Sequence, residues 1–400
     1  MILVSPLIDL KSKASQKLQQ IGLPTVAHED WKYVADQDFE VIKSVSHAVQ
    51  DYKPCSLILE TEYVVVLGKS GIDQGRSRLP KNGVTVEFGD SEVNQNALSG
   101  LTQSDDGMVL KAISEMTGVL RILVNPQISL DQPIHIAFDE SFLNEQWIQP
   151  VVIIELGEKA TASVVVHPIM VAGGVVNGLV VVSVADHAQG EIVALNLEGR
   201  SAQFVSMSYR ATLAESSQFQ FLQASHHAGK VRSDVQVTFT APHANSVLRA
   251  VLVLDDQDAV HLRTHMTHLV GECFGRQLVK SILNGQSVSE FHGGVYVAKG
   301  ADLTDSSQSN ENLLLSDQAR AISRPQLQIH ADDVKAAHGA NVGQLDDRHI
   351  FYLMSRGIPR AQAEQFLLQS FILEALDSIS MPGVKSALKK RLMISGEIGE

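Results

Sequence analysis

The sequence predicts a mainly β protein: a parallel β-helix of two facing sheets, with a helical region at each end. Three observations predict it. Over residues 151–345, short runs of Val, Ile, Leu and Thr alternate with polar residues. Small polar turns break those runs, and Thr161, Gly190, Ser217, Asn245, Cys273 and Ala301, one from each turn, are separated by 29, 27, 28, 28 and 28 residues. A fixed period of that size marks a solenoid, whose units each bury an apolar face on the next. Each unit also holds two strand-like runs, 163–167 with 179–185 and then 191–198 with 203–210. Two strands per coil build a flattened helix with two sheets. A β-sandwich has similar strand spacing, but the regular step favours the solenoid.

The whole chain sets the bounds. Its 400 residues allow two or three domains, or one elongated core with appendages. A composition of 44% hydrophobic and 19% charged residues is that of a folded globular protein. With 32 basic and 45 acidic residues the net charge is −13, which leaves no basic field for nucleic acid or an anionic membrane. No apolar run approaches the ~20 residues that span a bilayer. Residues 1–8 are apolar but carry no basic leader and soon read as a helix, so no signal peptide is expected. Two cysteines, Cys55 and Cys273, lie far apart, the usage of a reduced, cytoplasmic protein.

An N-terminal helical and mixed region is expected over 1–117. Ser5 or Asp9 can cap a first helix running to Gln20, which Gly22 and Pro24 end. His28, Glu29 and Asp30 follow, and adjacent residues of this kind point in different directions. They read as solvated charges on a segment pinned by Trp31 and Tyr33. Gly68-Lys69-Ser70 after a strand suggests a phosphate-binding loop, but that motif needs a glycine where Tyr63 stands, and the match fails. Residues 89–104 read as a loop with a short helix and 107–117 as a weak helix. Strands begin at 118–125 and 133–139. The boundary falls near Gly118, and stacked coils are expected from about Arg121 to Leu345.

Within the coils, His226 and His227 form a turn pair. His261, His265 and His268 have helical metal-ligand spacing but lie in a strand, where His268 points away from the other two. Asp255, Asp256 and Asp258 sit in one turn and read as solvated. They lack the opposed carboxylate pair of a glycosidase. Cys273 has no second thiol near it in the sequence.

Three separated blocks carry a resemblance. Residues 324–346 contain Pro325, Leu327 and Ile329, then Ala331-Asp332-Asp333-Val334, then His338-Gly339-Ala340. Residues 351–358 read Phe-Tyr-Leu-Met-Ser-Arg-Gly-Ile, and Leu23-Pro24 leads to His28-Glu29-Asp30-Trp31-Lys32-Tyr33. In that order they resemble the SufB/SufD family of iron–sulfur cluster assembly scaffolds, and within it the SufD branch. The resemblance implies a right-handed parallel β-helix over 118–345 flanked by helical regions, in a cytoplasmic complex. In that complex SufB and SufD pair side by side, and each contacts SufC, an ATPase. It implies a scaffold that supports cluster assembly and iron entry and catalyses no reaction of its own. A homodimer is implied when SufB is missing.

One departure matters. The family often carries a cysteine two residues before the histidine, and Ala336 stands there. A cluster takes about four thiolate ligands, so two distant cysteines hold none stably. Any transient cluster must draw thiolates from SufB, which argues against a SufB-like role. His338 is the expected metal ligand, in a turn after a strand and shared with the partner.

A C-terminal helical domain is expected over 346–400. Asp346 or Asp347 caps one helix, Pro359 opens a second to about Ser378, and a third runs over 384–393 with a basic face. The second helix is apolar on more than one stripe. With the resemblance, this marks Phe366, Leu367, Phe371 and Ile372 as a docking surface for the ATPase. The competing reading is a β-helical carbohydrate-active enzyme.

Overall fold

The computed structural model describes residues 6–28, 31–32, 63–139, 141, 147–167, 174–197, 204–377 and 379–392. Strands between Tyr63 and Gly343 build a parallel β-solenoid of about seven turns with two facing sheets, which Gly71–Ile72 and Val84–Gly89 extend by antiparallel pairing near its start. In one sheet Thr161–Val166 is followed by Gln189–Leu197, Gln218–His226, Asn245–Leu254, Phe274–Leu283, Thr304–Leu314 and Val334–Gly343. The facing sheet runs through Val151–Leu156, Val175–Val184, Phe204–Leu213, Lys230–Phe239, Ala259–His268, Val288–Val297 and Arg320–Ile329. Each coil contributes one strand to each sheet. The solenoid also takes in Tyr63–Gly68, parallel to Ile134–Phe138, from ahead of the boundary expected near Gly118.

The period has a structural cause. Thr161, Gln189, Gln218, Asn245, Phe274 and Asp305 stand in one row, at steps of 28, 29, 27, 29 and 31 residues. Just before that row the chain turns the same corner each time, through Lys159, His187, Ser216, His243, Glu272 and Leu303, all with φ between 54° and 62°. Residues other than glycine rarely adopt this left-handed conformation. Here it is held by stacking: His187 N–H donates to the Glu215 carbonyl at 2.9 Å, and Glu272 N–H to Asp302 at 2.9 Å. The turns predicted from small polar residues are these corners.

Alternation along the strands builds four layers of packing. Val164 and Val166 face between the sheets, whereas Val165 faces outward. Because both faces are buried, such strands read as continuous apolar runs. The helices are α1 (Pro6–Ile21), α2 (Glu92–Ser99), α3 (Gly107–Glu115), α4 (Asp347–Ser355), α5 (Arg360–Leu376) and α6 (Pro382–Leu392). Leu7, Leu10 and Ala14 of α1 with Leu110 and Ile113 of α3 cover Val151, Ile153 and Leu179 on one outer face. Leu368, Ile372, Ala375 and Leu376 of α5 with Leu388 of α6 cover Val193, Leu195, Leu222 and Val251 on the other. Fully burying each such Leu, Ile or Val side chain contributes roughly 1.5–3 kcal/mol.

Several local expectations meet the structure. The first helix starts at Pro6, so Asp9 lies in its first turn, 2.6 Å from Lys13, rather than at its cap. Proline suits that first position because its missing N–H would have no helical partner. Trp31 is buried beneath Arg232, whose guanidinium lies 3.9 Å from the ring centroid. Glu29, Asp30 and Tyr33 lie outside the described residues. Lys69 follows a strand as expected, and its N–H donates to Ser141 Oγ at 2.8 Å.

Candidate functional site at the open end of the solenoid

Among the described residues, Arg320–Ile329 and Val334–Gly343 are the last strands of the two sheets, and each has a neighbouring strand on one side alone. Their residues are half-buried or exposed throughout. Each strand keeps one backbone edge turned away from its sheet, and such an edge is a template for another strand.

His338 lies in the middle of Val334–Gly343, in register with Gln308, and not in the expected turn. The strand was hidden by its composition: Ala336, Ala337, Gly339 and Ala340 give no apolar alternation to read. Its row is Phe221, Leu248, Gln277, Gln308 and His338, and Phe221 and Leu248 belong to the core between the sheets. His338 therefore stands over the end of that core, and with no further coil among the described residues its side chain is exposed. At Gly339 nothing lies within 4 Å of the place a Cβ would take, so another backbone can come close.

Among the described residues no three of His, Cys, Asp and Glu stand together as a metal site. Cys273 is buried in its corner turn and donates to the Gly271 carbonyl at 3.3 Å. Burial raises its pKa, so it stays a thiol and makes a poor ligand. Cys55 lies outside the described residues. His338 thus offers one imidazole, and the described chain brings no thiolate to it.

The other tempting groups are occupied structurally. His261 and His268 lie in one strand as expected. His261 Nδ1 is 2.7 Å from Glu290 Oε2 on the outer face, and His268 stacks inside the solenoid on Phe239. The trio with His265 does not converge. His226 ends its strand and His227 alone lies in the turn, with the two ring centroids 4.1 Å apart. Asp258 is not solvated. It is buried and accepts from the Gly229 N–H at 2.8 Å, the Ala228 N–H at 3.2 Å and the Asp255 N–H at 3.4 Å. A carboxylate tying one corner to the next is a turn staple, which a sequence window on one turn cannot show. Burial nonetheless raises its pKa.

Beyond the solenoid, Asp346 caps α4 by accepting from Arg348 N–H at 2.9 Å, and Pro359 precedes α5. The four residues of the expected docking surface separate here. Ile372 is 2% exposed and faces the sheet, and Phe371 is half-buried with Lys280 Nζ 4.7 Å from its ring centroid. Leu367 is half-buried, and Phe366 is 49% exposed. The free apolar surface continues onto α4, which packs on α5 and leaves Phe351 73%, Tyr352 57% and Met354 42% exposed. Ile350, Phe351, Leu353 and Met354 are the apolar residues of α4. Only Ile350 among them is buried.

The chain matches the family model for the SUF system FeS cluster assembly SufBD core domain over residues 140–371, more than half its length. It is 25% identical to the iron–sulfur cluster assembly protein SufD of Escherichia coli over 411 aligned residues, covering 95% of this chain and 92% of that protein. It is 32% identical to an iron–sulfur cluster assembly SufBD family protein of Synechocystis over 176 residues, 44% of this chain and 38% of the relative. With SufD of Bacillus subtilis the identity is 31% over 140 residues, 35% of this chain and 32% of the relative. A carbohydrate-active enzyme finds no support in these likenesses. No described helix is long and apolar enough to cross a membrane. The chain belongs to the SufBD family of the SUF iron–sulfur cluster assembly system, and within that family it is most like SufD.

Proposed function

We propose that this chain is a non-catalytic scaffold that pairs with SufB through the last strands of its solenoid and supplies His338 to a cluster assembled at the seam. The observation that carries the reading is the position of His338. It is exposed on the terminal strand at the open end, beside a glycine that admits close approach, with no thiolate brought to it by the described chain. A neutral imidazole binds iron through one nitrogen, and the soft thiolates that a cluster needs come from the partner. In this reading iron enters at the seam, and SufB cysteines complete the ligand set of a transient cluster. When SufB is absent, the same end pairs with a second copy of this chain. The SufC ATPase docks on the exposed face of α4 and α5 through Phe351, Tyr352, Met354 and Phe366, and ATP is used there and not by this chain. The setting is cytoplasmic.

The test is His338→Ala, followed for folding, for SufB and SufC in a pull-down, and for cluster yield in cells. The scaffold reading expects the first two unchanged and cluster yield reduced at least tenfold. Normal yield from an intact complex would return His338 to a structural role.

A further inference from the structure

The filling of the solenoid changes near its open end. In Asn245–Leu254 the residues facing inward include Leu248, Ala250, Leu252 and Leu254, all in the main core. Two coils on, in Thr304–Leu314, the inward row is Ser306, Gln308, Asn310 and Asn312, each no more than 3% exposed. Ser306 Oγ, both amide atoms of Gln308, and the Oδ1 atoms of Asn310 and Asn312 are buried without a hydrogen bond to another described group. A buried polar group left so loses its hydration with nothing in return, and native proteins carry few of them. Replacing it with an apolar side chain of similar shape is nearly neutral or stabilising.

Gln277 provides the internal contrast. It occupies the same row one coil earlier and is also buried, at 2% exposure. Its amide is fully employed, since Thr264 Oγ1 lies 2.5 Å from its Oε1 and its Nε2 donates to the Gly294 carbonyl at 3.0 Å. Gln308 has the same residue type and the same orientation in the ladder, with nothing for its amide to do inside the coil. Its neighbour on the other side is His338, its direct partner in the register. Adjacent strands lie about 4.8 Å apart, so side chains on one row are within hydrogen-bonding reach.

Resting on the proposed role of His338, we propose that Gln308 is its positioning residue: the two are register neighbours that make no hydrogen bond in this structure, and a rotation of the Gln308 side chain brings its amide N–H to the inward ring nitrogen. That bond fixes the imidazole as one neutral tautomer and turns its other nitrogen out toward the partner, as an outer-shell hydrogen bond does for a metal-binding histidine. The stability cost of an amide inside the last coil is the mark of a group placed for function, since cores are cheaper to fill with apolar side chains.

The experiment uses the full chain with 15N-labelled histidine and the variants Gln308→Met and Gln277→Met, with His338→Ala to identify the His338 ring signals. In the parent chain the His338 ring shows one dominant neutral tautomer. Gln308→Met melts at or above the parent temperature and shows the two tautomers mixed, while Gln277→Met melts lower because it strands Thr264 and the Gly294 carbonyl. Gln308→Leu repeats the reading with a second apolar side chain. Identical ring spectra in parent and Gln308→Met would overturn the proposal, as would a loss of melting temperature equal to that of Gln277→Met. Neither readout uses cluster yield. Failure here leaves the scaffold reading standing, and failure of His338→Ala to lower cluster yield leaves the hydrogen bond standing.

Discussion

The imidazole of His268 stacks on the ring of Phe239 inside the solenoid, with centroids 4.1 Å apart and planes 8° from parallel. Neither ring nitrogen of His268 has a hydrogen-bond partner among the described groups, and burial lowers its pKa to about 4. Unfolding releases the ring to titrate near its ordinary 6.5. Between those values the unfolded chain binds a proton that the folded chain does not, so stability present above pH 6.5 is lost as pH falls toward 4. His135, lowered by burial to about 4, acts in the same direction. His268→Leu should reduce the slope of stability against pH in that window by about 1.4 kcal/mol per pH unit. Urea denaturation from pH 4 to 7 reads it directly, and an unchanged slope would contradict the assignment.

Asp258 links two corners through three backbone N–H groups. Asp258→Ala leaves those donors buried and should destabilise the chain by about 2–4 kcal/mol. Asp258→Asn keeps an acceptor and should cost less than half as much. Equal urea midpoints for the two variants would show that the carboxylate is not the staple.

The face of α4 and α5 that is free can be separated from the face that is buried. Tyr352→Ser and Phe366→Ser lie on exposed positions and should change stability by less than about 0.5 kcal/mol. Each should weaken capture of SufC in a pull-down. Ile372→Ala removes a buried side chain against the sheet and should cost about 2–5 kcal/mol. Its capture of SufC at temperatures where it is folded should be normal. Loss of binding by Ile372→Ala alone would place the docking surface elsewhere.

Much of this architecture is legible in the sequence because its causes are local. The ladder of corners shows through small polar residues, since the left-handed turn at Ser216 or His243 recurs once per coil. The caps at Asp346 and Pro359 are equally local. Three features depend on what lies across the fold. Asp258 looks solvated until the preceding corner at Ala228 and Gly229 is placed beside it. The terminal strand around His338 is built of Ala and Gly, whose β character comes from the neighbouring Thr304–Leu314. Ile372 and Phe366 are both apolar positions of one helix, and only the sheet beneath α5 decides which is buried.

The open end should pair through its last strands. Val342 is 48% exposed on the terminal strand. Val342→Asp places a charge on that edge, a device that blocks strand pairing. It should leave the melting temperature within about 2 °C, since surface substitutions change stability little. Light scattering should show the parent chain as a dimer at high concentration and the variant as a monomer. A variant that still dimerises would move the seam away from this end.

In the proposed function His338 reaches the cluster from this chain. Pulsed electron paramagnetic resonance of the reduced, cluster-loaded complex, with 15N-histidine in this subunit alone, tests it most directly. A 15N coupling that marks an imidazole bound to the cluster should appear, and it should vanish with His338→Ala. No such coupling in the parent complex, or one that survives the substitution, would contradict the account.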